Sequence, residues 1–147
     1  MKAIFGFGFF LLFLAGIALV MLQGREMARQ NLPGGGAGMT GVEWRPIVLG
    51  ADTLPADSGL FVLFAVDGSI KGNGGCNNFF GTLEKTDKGI AVGPLGSTRM
   101  ACPPAIMDRE VAFMQALQAT SRFEVGKRRL QLLGTDSQLL AELVSRN

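Results

Sequence analysis

The chain has 147 residues, 48% of them hydrophobic, with 14 Lys and Arg against 12 Asp and Glu; one ordinary domain and an appendage fit this length, and two domains do not. Twenty-one glycines stand beside two cysteines, no tyrosine and no histidine, which excludes Ser-His and Cys-His nucleophiles, imidazole zinc sites and a four-thiolate metal site within one chain. Setting aside Lys2, Arg25, Arg29 and Glu26 leaves eleven cations and eleven anions, so the folded part lacks the cationic surplus of a nucleic-acid footprint and none is expected as a partner.

Ala3 to Leu22 is an unbroken apolar run. At ~1.5 Å rise per residue its length matches a hydrocarbon core of ~30 Å. A cleavable signal has a shorter apolar region, ~7–15 residues, followed by small residues; Gly16 and Ala18 fit that alternative, but Leu19-Val20-Met21-Leu22 continues apolar. The run is therefore read as an uncleaved N-terminal transmembrane helix (1–24), with a removed signal and a soluble periplasmic product as the alternative. No cysteine follows it to carry a lipid. Lys2 on one side and Arg25 and Arg29 on the other leave the orientation to the cysteines. A lone pair placed for closure belongs in an oxidising compartment, which puts the domain outside the cytoplasm, anchored at the inner membrane and facing the periplasm. Residues 25–41, with Pro33-Gly34-Gly35-Gly36-Ala37-Gly38 at their centre, form a flexible linker, and the domain is expected over 42–147.

Val42 to Leu49 is a first strand with Trp44 as core anchor, ended by Gly50 and the turn-prone Asp52 to Ser58. Leu60 to Val66 is apolar at every position, which predicts a strand covered on both faces, and Asp67-Gly68 predicts a hairpin returning antiparallel over Ser69 to Lys71. Gly72, Gly74 and Gly75 interrupt the pattern where a bulge, a positive φ or a close backbone approach is needed. Asn77 and Asn78 bond local backbone and tolerate the left-handed region, forming a corner. Phe79, Phe80 and Leu83 continue a strand to Lys85, Thr86 to Gly89 turns it, and Ile90, Val92 and Leu95 alternate on the next. The corner, with Thr98 and Arg99, has two readings: a loop that shapes the sheet, or a ligand site.

Cys76 and Cys102 have three readings. A disulfide would close a loop worth roughly 3–4 kcal/mol in the chain-entropy model. Two buried reduced thiols are the second. The third is a catalytic thiol, for which Arg99 is the nearest cation in sequence. The disulfide needs only compartment and geometry and is preferred.

After Pro103-Pro104, Ala105 to Ala119 is the one helix pattern of the soluble part, with Met107, Phe113, Met114 and Leu117 near helical spacing. Asp108 and Glu110 are assigned to capping and to the positive helix end, since residues two apart do not face one another. Phe123–Val125, Arg128–Leu133 and Leu139–Val144 finish the chain as strands, with turns at Gly126-Lys127 and Thr135-Asp136-Ser137. Lys127-Arg128-Arg129 is read as a solvated turn and strand face. The fold class is α+β: an antiparallel β-rich, partly open barrel-like sheet packed with one main helix.

The order Trp44, Gly72-x-Gly74-Gly75-Cys76-Asn77-x-Phe79-x-Gly81, Leu95-x-x-Thr98-x-Met100-Ala101-Cys102, Glu110-x-x-Phe113-x-x-x-Leu117 and Leu130-x-Leu132 resembles the META domain family, that of the heat-shock protein HslJ. The resemblance covers Val42 to Val144. It implies a small bacterial envelope domain, antiparallel and β-rich around one helix, with a stress- or resistance-associated role and no established enzymatic activity. The chain departs from the family in having an apolar anchor where members often carry a lipidated cysteine. Two functions follow: a non-catalytic, membrane-tethered module binding an envelope protein or lipid, with no catalytic, cofactor or metal residues; or a thiol-dependent envelope enzyme using Cys76 or Cys102.

Overall fold

A computed structural model describes residues 38–146 apart from Ala56 and Lys88, with Lys85 described by its backbone alone. The expected membrane segment and most of the linker lie outside the described residues; among those described, no helix is long and apolar enough to cross a membrane.

Among the described residues, ten strands and one helix follow in the order β1 (Glu43–Leu49), β2 (Asp52–Thr53), β3 (Phe61–Phe64), β4 (Ser69–Asn73), β5 (Asn78–Thr86), β6 (Gly89–Val92), β7 (Gly96–Ser97), α1 (Pro104–Gln118), β8 (Arg122–Val125), β9 (Arg129–Leu133) and β10 (Leu139–Ser145). Every pairing between named strands is antiparallel. The sheet runs β6-β5-β4-β3-β1-β10-β9-β8, with β2 beside β1 and β7 beside β5. β6 and β8, the two ends of this path, lie next to one another without a ladder between them, so the sheet curls into a nearly closed barrel. Register shifts in β1 after Pro46 and in β10 after Leu139 bend these two neighbouring strands, as bulges do.

The barrel interior takes alternate side chains from each strand. Trp44, Val62, Phe64, Ile70, Phe79, Leu130, Leu132 and Leu143 are buried there; at ~1.5–3 kcal/mol for each large apolar side chain, their burial is the main favourable contribution to folding. Phe64 meets Phe123 edge-on at 5.8 Å, and Phe79 meets Phe113 likewise at 5.8 Å, the geometry aromatic quadrupoles favour. The Trp44 indole N–H donates to the Met39 carbonyl at 2.8 Å, and Met39 is itself fully buried. The packed body thus reaches back past the expected boundary at Val42.

α1 starts where Pro103 and Pro104 preset the backbone of its first turn. It ends at Ala119, where the Thr120 hydroxyl donates to the Ala116 carbonyl at 2.8 Å. Its buried face is Glu110, Phe113, Ala116 and Leu117.

Four expectations need correction. β3 alternates, with Val62 and Phe64 inside and Phe61 and Leu63 half-buried outside, because a barrel strand keeps one face toward solvent; Val66, expected in the strand, is 87% exposed at the turn. Met107 is exposed rather than part of the core stripe. Leu95 falls in the loop between β6 and β7, and neither β2 nor β7 was anticipated, since a two-residue strand has no period to read. Asn77 and Asn78 are not left-handed: among described non-glycine residues only Ser137, in the β9–β10 turn, has positive φ.

The β3–β4 hairpin turns at the expected Asp67-Gly68, with Gly68 at φ 85°. The Asp67 carboxylate accepts the Ser69 N–H at 2.9 Å and the Ser69 hydroxyl at 2.7 Å. The backbone bond, then the hydroxyl bond, hold its pKa below the ordinary aspartate value of 3.8. A carboxyl with a lowered folded pKa contributes stability above 3.8 that is lost as pH falls through the lowered value. An NMR titration should place the Asp67 midpoint below 3.8, with Ser69→Ala recovering part of the difference; a midpoint at or above 3.8 contradicts the turn geometry.

Candidate functional site

The corner between β4 and β5 is built on glycine. At Gly72 a Cβ would stand 2.2 Å from Phe79 Cζ and 2.4 Å from the Phe61 carbonyl, so the Phe79 ring occupies side-chain space. At Gly74 a Cβ would stand 2.3 Å from Glu110 Cγ, so any side chain there would push α1 away. Gly75 turns the chain at φ 102°, with its N–H held at 2.7 Å by the Asn73 side chain. Asn73 also donates to Asn78 Oδ1 at 2.9 Å across the ladder.

Asn77 and Glu110 lie at the centre, 4% and 7% exposed. The Asn77 amide nitrogen donates to Glu110 Oε1 at 2.9 Å and to the Met100 carbonyl at 3.3 Å. Its oxygen accepts the Met100 N–H at 2.6 Å and the Thr98 hydroxyl at 2.8 Å. Glu110 Oε2 accepts the backbone N–H of Asn77 at 2.5 Å and of Cys76 at 3.3 Å. Thr98 Oγ1 also accepts the Asn78 N–H at 3.2 Å. Beside this network Cys76 and Cys102 are bonded, Sγ–Sγ 2.01 Å and Cα–Cα 6.1 Å, and neither is a free thiol. The β4–β5 corner is thereby clasped to the contiguous 98–102 loop and α1, whose bonding partners lie 21 to 33 residues from Asn77.

Of the residues singled out from sequence, Gly72, Gly74, Gly75, Cys76, Asn77, Thr98 and Cys102 converge here. Asn78 is exposed and reaches the clasp through its backbone, bonded to Thr98, whereas Arg99 is exposed with no bond to the clasp. Glu110 was missed. Assigned to the helix dipole, it lies beyond the first turn, and that turn holds no acidic residue; its carboxylate serves the corner instead. The readable cue was a carboxylate three and seven residues before Phe113 and Leu117, on the stripe the helix buries. Among the described residues no group of three His, Cys, Asp or Glu side chains is placed to hold a metal.

Concavity lies elsewhere. A groove of about 590 Å³ runs between the β2 segment and α1, lined by Thr53, Leu54, Pro55, Asp108, Arg109 and Ala112 among others. It adjoins a second hollow of about 330 Å³ over Leu49, Ala112, Ala116 and Leu140.

A nearly closed antiparallel barrel whose helix is tied to a Gly-Asn corner by a disulfide and a buried carboxylate defines the class. The chain belongs to the META domain family, which matches residues 37–146. No curated protein matches it. Among solved structures it is similar to a protein from Burkholderia xenovorans, determined by NMR, at 24% identity and TM-score 0.57, covering 74% of this chain and 84% of that one. A DUF4847 family protein from Bacteroides vulgatus is similar at 13% identity and TM-score 0.51, covering 74% and 95%. These likenesses are of fold alone.

Proposed function

We propose that this chain is a non-catalytic binding module of the bacterial envelope, tethered to the inner membrane by residues 3–22 and displaying its META domain in the periplasm. The resemblance adds a role under envelope stress or in resistance. The observation that carries this reading is the Cys76–Cys102 bond, because a disulfide closing a small domain persists in an oxidising compartment. The clasp residues are committed to one another, so a partner is met on another surface, and the groove beside α1 is a concave surface that could receive it. The thiol-enzyme alternative requires that same bond to be reduced before either sulfur becomes a nucleophile.

Three measurements on the full chain in cells test this. Protease added to spheroplasts should digest the domain, intact mass should retain residues 1–24, and alkylation should label both cysteines only after reduction. A photo-crosslinker at Ala112 should capture a defined envelope component. Protection from protease, or alkylation without reductant, overturns the reading.

A further inference from the structure

Register places several features at one end of the barrel. The chain enters there: Thr40 bridges Phe64 and the Gly41 N–H donates to the Phe64 carbonyl at 2.8 Å. β3 ends at the same level and turns through Val66, whose side chain is 87% exposed. On the other flank, Arg146 N–H donates to the Glu43 carbonyl at 3.0 Å, and Ser145 N–H to the Arg128 carbonyl at 3.1 Å. The β8–β9 turn, Gly126 to Arg128, therefore stands beside the end of β10. Lys127 and Arg128 are exposed there, and among the described residues neither has an ion-pair partner.

The carboxylates of this end are largely engaged. Glu43 is shared by Arg45 at 2.9 Å and Arg146 at 3.6 Å. Asp67 is bonded to Ser69, and Asp87 stands on the β5–β6 turn. The opposite end carries Asp52, Asp57 and Asp136 together with Arg99 and Arg109. Lys127 and Arg128 thus stand as unpaired cations beside the incoming chain.

We infer that this end of the barrel docks on an anionic phospholipid bilayer, with Val66 in the interface and Lys127 and Arg128 against lipid phosphates. A bilayer fits better than a protein because of what precedes Gly38. The apolar run of residues 3–22 is long enough to span a membrane, and residues 23–37 between that run and the barrel reach roughly 50 Å at most. The docking rests on the tethered reading above. Interfacial apolar contact combined with cations near an anionic surface is the usual way a tethered domain is held down.

The test reconstitutes the full chain in nanodiscs of phosphatidylcholine alone or with phosphatidylglycerol and follows amide hydrogen exchange. Exchange over residues 65–69 and 126–128 should slow in the anionic discs only. Lys127→Ala with Arg128→Ala should weaken docking about 30-fold, salt near 1 M, where the Debye length is about 3 Å, should abolish it, and Val66→Ser should weaken it without changing the salt dependence. Unchanged emission from buried Trp44 certifies that the variants are folded. Equal exchange in both compositions overturns the docking. Extraction of the chain at alkaline pH overturns the tether instead, and co-sedimentation with preformed vesicles of both compositions then decides docking on its own.

Discussion

Glu110→Ala should lower the stability of the folded domain by about 3–5 kcal/mol, a large share of the ~5–15 kcal/mol that holds a typical domain. Three N–H groups donate to this carboxylate, from the Cys76 backbone, the Asn77 backbone and the Asn77 side chain. Each buried donor left without a partner costs about 1–3 kcal/mol, and water entering the space left by the side chain recovers only part of that. Glu110→Gln keeps one acceptor and turns an NH2 toward N–H donors, so its cost should be smaller, about 2–3 kcal/mol. Gly74→Ala reaches the same contact from the other side: its Cβ would stand 2.3 Å from Glu110 Cγ, and overpacking of this kind costs about 1–3 kcal/mol. Urea unfolding followed through Trp44, the chain's one tryptophan, measures all three. A double-mutant cycle with Asn77→Ala should return a coupling of about 0.5–3 kcal/mol. A Glu110→Ala cost below about 1 kcal/mol would mean that the corner does not depend on the helix.

The parts of this fold legible in the sequence are the ones set by neighbours in the chain. Asp67-Gly68 gives the β3–β4 hairpin because glycine accepts positive φ there, and Pro103-Pro104 with the apolar spacing gives α1 nearly to the residue. Trp44 on its strand and Phe113 on the helix stripe are core as their local patterns predict, whereas Phe79 and Phe80 read alike and only Phe79 is buried. Glu110 and Asn77 show the opposite case. Their partners lie 21 to 34 residues away, so local rules assigned the glutamate to a helix end and the asparagine to a turn. The glycines carried the missing information in a form that pattern reading cannot resolve. Gly72 and Gly74 are small because Phe79 and Glu110 fill their side-chain space, whereas Gly75 is glycine for its backbone angle. From sequence all three read alike. The two-residue strands β2 and β7 were invisible for a different reason: they exist only because β1 and β5 offer an open edge, a property of the partner strand.

Replacing Cys76 and Cys102 together by Ala should cost about 3–4 kcal/mol, the loop-closure entropy returned to the unfolded chain by a bridge across 26 positions. The native state changes little at first, because the 98–102 loop is fastened twice. Besides the sulfur bridge, Asn77 holds both the N–H and the carbonyl of Met100, and its oxygen accepts the Thr98 hydroxyl. Reduced protein should therefore remain folded at 25 °C, with a lower urea midpoint and a steeper slope, because the uncrosslinked unfolded chain exposes more surface. Asn77→Ala alone removes the second fastening while the bridge still restrains the loop. With both removed, the loop stays joined to the start of β5 only at Thr98, whose hydroxyl oxygen accepts the Asn78 N–H at 3.2 Å and whose own N–H donates to the Asn78 carbonyl at 3.0 Å. The combined loss should exceed the sum of the separate losses, and amides of residues 99–102 should exchange at rates near those of an open chain, while that of Thr98 stays protected by the Asn78 carbonyl. Strict additivity within about 0.5 kcal/mol would show that bridge and asparagine act on different segments. A bridge-free variant as stable as the parent would show that the disulfide restrains nothing the corner does not already hold.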